Sequence, residues 1–245
     1  MFIPVRILVV LPTYNESANI EQILRSVRVN LPTANILVVD DSSPDGTADV
    51  AKTMSRELGS IDVLIRPQKS GLGPAYLAGF RWGMDRGYES FIEMDSDFSH
   101  DPASLPALIH PMTDGADLVI GSRYVPGGSI PDWKLSRRLL SRFGNLYAKW
   151  MLDLGVEDST AGFRVYSGRI LKEIELDTVT ASGYGFQIEM TFRAKRAGAV
   201  IREVPIRFVD RVHGESKMSS SVVTEALALV TKWGLRRLLF DRHTP

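Results

Sequence analysis

Short apolar runs alternate along the chain with stretches in which apolar residues recur every three or four positions. Ile7-Leu8-Val9-Val10-Leu11 is compact and β-branched, and predicts a buried strand. Ile20, Ile23, Leu24 and Val27 follow at helical spacing, with Asn15 or Ser17 placed to cap that helix. Ile36-Leu37-Val38-Val39 predicts a second strand, ending at Asp40-Asp41, and Asp45-Gly46 opens a helix carrying Val50, Ala51, Met54 and Leu58. Ile61 to Ile65 reads as a third strand, Gly73 to Met84 as a helix, and a fourth strand runs into Asp95. Asp101 caps the next helix, with Pro102 in its first turn, and Leu118-Val119-Ile120 is a fifth strand.

This order predicts an α/β fold: a Rossmann-like, mostly parallel central sheet with crossover helices on both faces. Ligands in such sheets bind beyond the carboxyl ends of the strands. Here those ends are Pro12 to Glu16, Asp40-Asp41, Asp95 to Ser99 and Gly121 to Tyr124, and all four carry polar or charged side chains.

The second half is less regular. Leu139, Phe143, Leu146, Tyr147, Trp150 and Met151 make one apolar helical face, on a segment that also carries Arg137, Arg138, Arg142 and Lys149 and no acid from Lys134 to Lys149. Phe163 to Tyr166 reads as a strand, Gln187 to Lys195 as a helix, and Val204 to Phe208 as an edge strand because of Pro205. A final amphipathic helix spans Ser219 to Leu239, with Val223, Leu227, Val230, Trp233 and Leu238 among Lys232, Arg236 and Arg237. The expected organisation is one domain over 1–215 and a C-terminal amphipathic helix over 216–245 with an apolar face free for a membrane or a partner.

Composition narrows the chemistry. Of 245 residues, 44% are hydrophobic, enough to fill a core, and 29 basic residues balance 29 acidic ones, so nothing global points to nucleic acid. The absence of cysteine excludes disulfides, thiolate catalysis and zinc-thiolate sites, and four histidines argue against a histidine-rich metal centre. No signal peptide is visible, and no run approaches the roughly 18 apolar residues needed to span a bilayer. Gly71-Leu72-Gly73 lacks the third glycine and the strand context of a dinucleotide site, and no P-loop is present.

The most informative pair is Asp95 and Asp97. Two carboxylates one residue apart at a strand end suit a hard divalent cation that also holds phosphates, whereas an isolated pair of this kind is more often a surface turn. Asp40 and Asp41 are costly at a buried strand end unless bonded or exposed to ligand. Pro12-Thr13-Tyr14-Asn15-Glu16 reads either as a turn with a helix cap or as a ligand loop, with Tyr14 stacking on a base and Glu16 accepting from base or ribose.

Taken in order, these blocks resemble those of a family 2 glycosyltransferase with the GT-A fold, within the polyprenol (dolichol) monophosphate mannose synthase group. The matching segments are Pro12 to Glu16, Asp40 to Thr47, Asp95 to Pro102, Gly121 to Tyr124, Gly162-Phe163, Gly183 to Glu189 and Arg211 to Lys217. The resemblance implies that Pro12, Tyr14, Glu16, Val39 and Asp41 surround the nucleotide of GDP-mannose. It implies that Asp95 and Asp97 hold Mg2+ or Mn2+ on the diphosphate, with Ser96 contacting the donor through its backbone. Arg123, Arg137, Arg211 and Lys217 would surround phosphates, with Asp95, Asp97, Arg123 and Arg211 as the catalytic set. Ser99 stands where some relatives place a metal-binding glutamine and is a shorter, weaker third ligand. The acceptor implied is a polyprenyl phosphate, which brings its own nucleophilic oxygen and needs no histidine base. In-line attack on an α-linked donor would give polyprenyl phosphate β-mannose.

His100, His110, His213 and His243 therefore read as loop or surface groups, with His213 near phosphate. Asp158 either orients the sugar or metal or is a loop acid. Arg138 and Arg142 read as a solvated face, unless their helix leans on a membrane through Leu139, Leu140 and Phe143; the last helix, with Trp233, offers the same alternative. The expected location is peripheral, on the cytoplasmic face of a membrane, with an integral-membrane anchoring partner. The rival readings are UDP-glucose or another donor, a non-catalytic nucleotide or lipid-phosphate binding module, and a sugar nucleotidyltransferase. The last would want a glycine-rich basic loop where Pro12 to Glu16 stands.

Overall fold

The computed structural model describes residues 5–181, 183–210 and 220–240. Its strands are β1 (Ile7–Thr13), β2 (Asn35–Asp40), β3 (Ile61–Ile65), β4 (Ser90–Glu93), β5 (Leu118–Ser122), β6 (Arg164–Ser167) and β7 (Ile201–Pro205). Its α-helices are α1 (Ile20–Asn30), α2 (Thr47–Leu58), α3 (Leu72–Met84), α4 (Leu105–Thr113), α5 (Leu135–Leu152), α6 (Gly168–Glu173), α7 (Gly183–Arg196) and α8 (Ser220–Phe240). All seven strands form one sheet in the order β3-β2-β1-β4-β6-β5-β7. Six run in one direction; β6 alone is reversed, antiparallel to both β4 and β5. The sheet is thus mostly parallel, as expected; β7 is at the edge, but it runs from Ile201 to Pro205 and ends before the expected Phe208.

Strand β1 pairs with β2 on one side and β4 on the other. The chain therefore winds outward through β2 and β3 and then returns across β1 to β4, which opens a crevice at the β1 and β4 ends. β1 continues through Pro12 and Thr13, past the run read as strand. Pro12 is tolerated in this central strand because its nitrogen faces the β4 side beyond the end of β4, where no carbonyl waits for an N–H. The Pro12 carbonyl on that side accepts from the Ser96 hydroxyl at 3.2 Å.

Alternate residues of the strands feed two cores. Val9, Leu11, Ile36 and Val38 pack with α1, α2 and α4, whereas Leu8, Val10, Leu37 and Val39 pack with α3 and the later helices. Helix α3 lies close on the sheet because it carries no β-carbon at two points. A Cβ at Gly79 would meet Val10 Cγ1 at 2.5 Å, and one at Gly83 would meet Phe91 Cε1 at 2.5 Å.

Several local expectations give way. The cap at Asn15 or Ser17 is not formed: α1 begins at Ile20 without a side-chain cap, and Asn15 has φ of 62°. β4 ends at Glu93, so Asp95 stands in the loop beyond it. Trp233 does not face outward; it packs on the core and stacks on Phe192 at 6.3 Å. α8 lies against α5 and α7, so closely that a Cβ at Gly234 would strike Met151. Among the described residues, no helix is long and apolar enough to cross a membrane.

Candidate active site

A cleft of about 490 Å³ opens along the strand ends. It is bordered by Pro12, Tyr14 and Glu16 after β1, Asp41 after β2, Asp95 to Ser99 after β4, Gly162 before the reversed β6, and Arg123 after β5. Of the site residues expected from sequence, the cleft brings together Pro12, Tyr14, Glu16, Asp41, Asp95, Ser96, Asp97, Ser99, Arg123 and Arg137. Val39 is not among its lining residues: its side chain is fully buried in the core beside α3. Arg211, Lys217 and His213 lie outside the described residues, as does the 215/216 boundary.

The end near β1 and β2 is built by one loop holding another. Three successive backbone N–H groups, of Asn15, Glu16 and Ser17, donate to Ser43 Oγ, Thr47 Oγ1 and Asp45 Oδ2, each at 3.0 Å. Asp40 is consumed within the fold, accepting from Thr13 Oγ1, Ser43 N–H and Ser43 Oγ. Asp41 is the acid of that pair that borders the cleft, with Arg66 at 2.9 Å and an N–H from Ser70. Lys69 Nζ sits 3.8 Å above the Tyr14 ring.

At the centre, Asp95 is held at two points. Tyr76 of α3 donates to Asp95 Oδ1 at 3.2 Å, and the Asp95 backbone N–H donates to His100 Nδ1 at 3.1 Å. His100 is a correction to the surface reading: it is 2% exposed, stacked on Phe163 at 5.0 Å and edge-on to Phe208 at 5.6 Å. Burial pushes its imidazole down to about 4, so it stays neutral and Nδ1 can accept. Asp97 Oδ1 accepts from the backbone N–H and the hydroxyl of Ser99, at 3.0 and 2.6 Å. Ser99 therefore orients Asp97 in this arrangement. Beneath them, burial pushes the Glu93 carboxyl up to about 8 against the pull of Arg164, which keeps a third negative charge away from the pair at neutral pH.

The donor set fits a hard divalent cation. The Asp95 and Asp97 carboxylates and the Ser99 hydroxyl border the open cleft and are hard oxygen donors. Such an open site leaves positions for water and phosphate oxygens, as Mg2+ prefers.

The far end belongs to Arg123. Its side chain makes a two-pronged pair with Asp158, at 2.7 Å from Nε and 2.6 Å from Nη2, and reaches Thr160 Oγ1 at 2.7 Å. Asp158 stands in a loop but is fully buried and paired with Arg123. Burial would raise its carboxyl, but Arg123 holds it below the usual range. Trp133, Tyr124 and Phe208 rings surround the Arg123 guanidinium at 5.3 to 5.5 Å. Arg137 lies 3.8 Å over Trp133 and pairs with Asp210 at 2.8 Å. From this end a narrow crevice of about 70 Å³ continues between α5 and α8. It shares Arg123, Trp133 and Thr160 with the cleft and is otherwise mostly apolar, with Leu140, Tyr147, Ile188, Leu227 and Val230.

Sequence reasoning missed Tyr76, His100, Trp133, Phe208 and the role of Gln187, which lines the cleft. Gln187 and His100 lie inside quoted motifs, but nothing in their spacing marks them as buried.

The sequence model of glycosyl transferase family 2 matches residues 8–175. Undecaprenyl-phosphate mannosyltransferase from Micrococcus luteus is 51% identical over 230 residues, covering 94% of each chain. Polyprenol monophosphomannose synthase from Mycolicibacterium smegmatis is 47% identical over 232 residues, covering 94% of this chain and 88% of its own. Glucosyl-3-phosphoglycerate synthase from Mycobacterium tuberculosis, solved with Mn2+, UDP and glucosyl-3-phosphoglycerate, superposes with a TM-score of 0.63 at 23% identity, over 99% of this chain and 81% of its own. The mannosyltransferase PcManGT from Pyrobaculum calidifontis, solved with GDP-Man and Mn2+, gives 0.58 at 13% identity, over 98% and 76%. Both share this chain's GT-A-type fold.

Proposed function

The chain belongs to glycosyl transferase family 2 and is a glycosyltransferase, and we propose that it transfers mannose from GDP-mannose to a polyprenyl phosphate, inverting the anomeric centre. The observation that carries this reading is the junction at Arg123. There a cleft lined with carboxylates meets an apolar crevice, as a reaction between a sugar nucleotide and a lipid phosphate requires. The names of the two curated relatives support the lipid acceptor and the mannose. The GDP-Man and Mn2+ in PcManGT support the donor and a divalent cation.

In this reading Tyr14, Glu16 and Asp41 receive the nucleotide, while Asp95 and Asp97 hold Mg2+ or Mn2+. The cation, when bound, offsets charge that builds on the departing diphosphate. Tyr76 and Ser99 fix the two carboxylates, and His100 fixes the Asp95 backbone, so that they need not reorganise as that charge develops. Arg123 and Arg137 face the phosphates, and the acceptor oxygen attacks without a protein base. Arg211 and Lys217 are assigned to the same phosphates.

We also assign the lipid-facing side. Leu135, Leu139, Phe143, Leu146 and Trp150 form one row on α5, each 57 to 72% exposed. The helix carries four cations and no acid in a chain whose charges balance overall, which suits an anionic lipid surface. The catalytic unit then sits peripherally on a membrane, and α8, packed on α5, forms part of that face.

The test is a transfer assay with polyprenyl phosphate, Mg2+ or Mn2+, and a panel of labelled nucleotide sugars, followed by lipid extraction. Label should enter the lipid from GDP-mannose, and both chelation and Asp97→Ala should abolish transfer while the fold persists. Transfer from UDP-glucose alone would overturn the donor, and full activity of Asp97→Ala would overturn the cation site.

A further inference from the structure

We propose that Gln187 reads a hydroxyl of the transferred sugar and so sets donor-sugar specificity. Gln187, on α7, is 3% exposed and lines the cleft. Its Nε2 donates to Glu93 Oε2 at 2.9 Å, whereas its Oε1, like Glu93 Oε1, is buried without a hydrogen-bond partner. A buried amide oxygen left this way is destabilising, and a ligand that supplies a donor offsets that cost.

The strand order says which part of the ligand arrives there. Across the cleft, Asp41 follows β2, Tyr14 follows β1, Asp95 and Asp97 follow β4, Gly162 precedes β6, and Arg123 follows β5. A sugar nucleotide with its nucleoside at β2 and β1 and its diphosphate at β4 places the sugar at β6. That is where Gln187 stands: a Cβ on Gly162 would lie 3.6 Å from Gln187 Nε2 and 3.6 Å from His100 Cε1. A side chain at 162 would stand directly against that amide. Ionised phosphate oxygens only accept hydrogen bonds, so neither the diphosphate nor a lipid phosphate satisfies Oε1, whereas a sugar hydroxyl donates to it. The amide is rigidly presented. Phe186 beside it stacks on Tyr76 at 6.3 Å, and the Gln187 backbone carbonyl accepts from Arg164 and Thr191.

The inference rests on the glycosyltransferase reading but not on the identity of the donor. It is tested with whichever nucleotide sugar the transfer panel selects, together with its monodeoxy analogues, on the wild type and Gln187→Leu. In the variant, kcat/KM for the parent sugar should fall about 10- to 100-fold, with affinity for the free nucleotide diphosphate unchanged. One deoxy donor should be used equally by both proteins, because its missing hydroxyl is the one Gln187 reads. An equal loss for every deoxy donor, or a parallel loss of nucleotide affinity, would overturn the proposal. If Gln187→Leu does not fold, the deoxy series on the wild type still decides: handling of all analogues within about threefold of the parent sinks it. A donor other than GDP-mannose with the cycle intact would refute the proposed donor and leave Gln187 standing.

Discussion

Helices α1 and α5 carry the same pattern and meet opposite fates. In α1, Ile20, Ile23, Leu24 and Val27 recur at helical spacing and are all fully buried between the sheet and its neighbours. In α5, Leu135, Leu139, Phe143, Leu146 and Trp150 recur in the same way and stand in the open, while Ala148, Met151 and Leu152 make the buried side. Periodicity predicts a helix with an apolar face, but not whether protein covers that face. The charges separate the two cases: α1 mixes Glu21 with Arg25 and Arg28, as a water-facing side does, whereas α5 has cations only.

Substitutions on each helix break this contrast if it is wrong. Leu24→Ala opens a cavity in a closed core and should cost about 2–5 kcal/mol in denaturant unfolding; a loss below about 0.5 kcal/mol, the scale of a surface site, would make α1 no different from α5. Phe143→Ser combined with Leu146→Ser should leave unfolding within about 0.5 kcal/mol of wild type. The same pair should weaken partition onto anionic vesicles by about tenfold or more, since two apolar side chains no longer enter the lipid. Unchanged partition would return α5 to the ordinary surface.

The smallest effect concerns the polar loop beside α1. Burial would raise the Asp45 carboxyl, but hydrogen bonds from Thr47 and Ser17 outweigh it and lower it to about 2. A depressed folded value stabilises above the unfolded value near 3.8 and is lost as pH falls through 2. Asp45→Asn should therefore be slightly less stable than wild type at pH 7, with the gap closing toward pH 2. A gap that persists unchanged at pH 2 would mean that the carboxylate charge is not its source.

The first half of the fold was legible because β1, β2, β3 and β5 are apolar runs rich in Val, Ile and Leu and each helix between them shows its face. The direction of β6 was not, since Phe163 to Tyr166 reads the same either way and only the β4 and β5 ladders decide it. In the site, the strand-end acids were legible by position, but their division of labour was not. Of Asp40 to Thr47, the side chains of Ser43, Asp45 and Thr47 hold the neighbouring loop, and Asp41 borders the cleft. His100 looks like a loop residue until Phe163 and Phe208, distant in sequence, close over it. Val39 shows the converse: it stands at a strand end, yet the alternation of the strand turns its side chain into the core.

Gly79 and Gly83 lie well inside the molecule, yet the position of Asp95 depends on them. They let α3 rest on the sheet, and α3 carries the Tyr76 hydroxyl that holds Asp95. A side chain at either glycine would lift the helix and draw that hydroxyl away. A genetic screen for inactive alleles should therefore recover both glycines, and a map of the hits would place them among folding defects. Their lesion would instead be one of alignment, visible as weakened cation affinity in a protein that still accumulates in the cell.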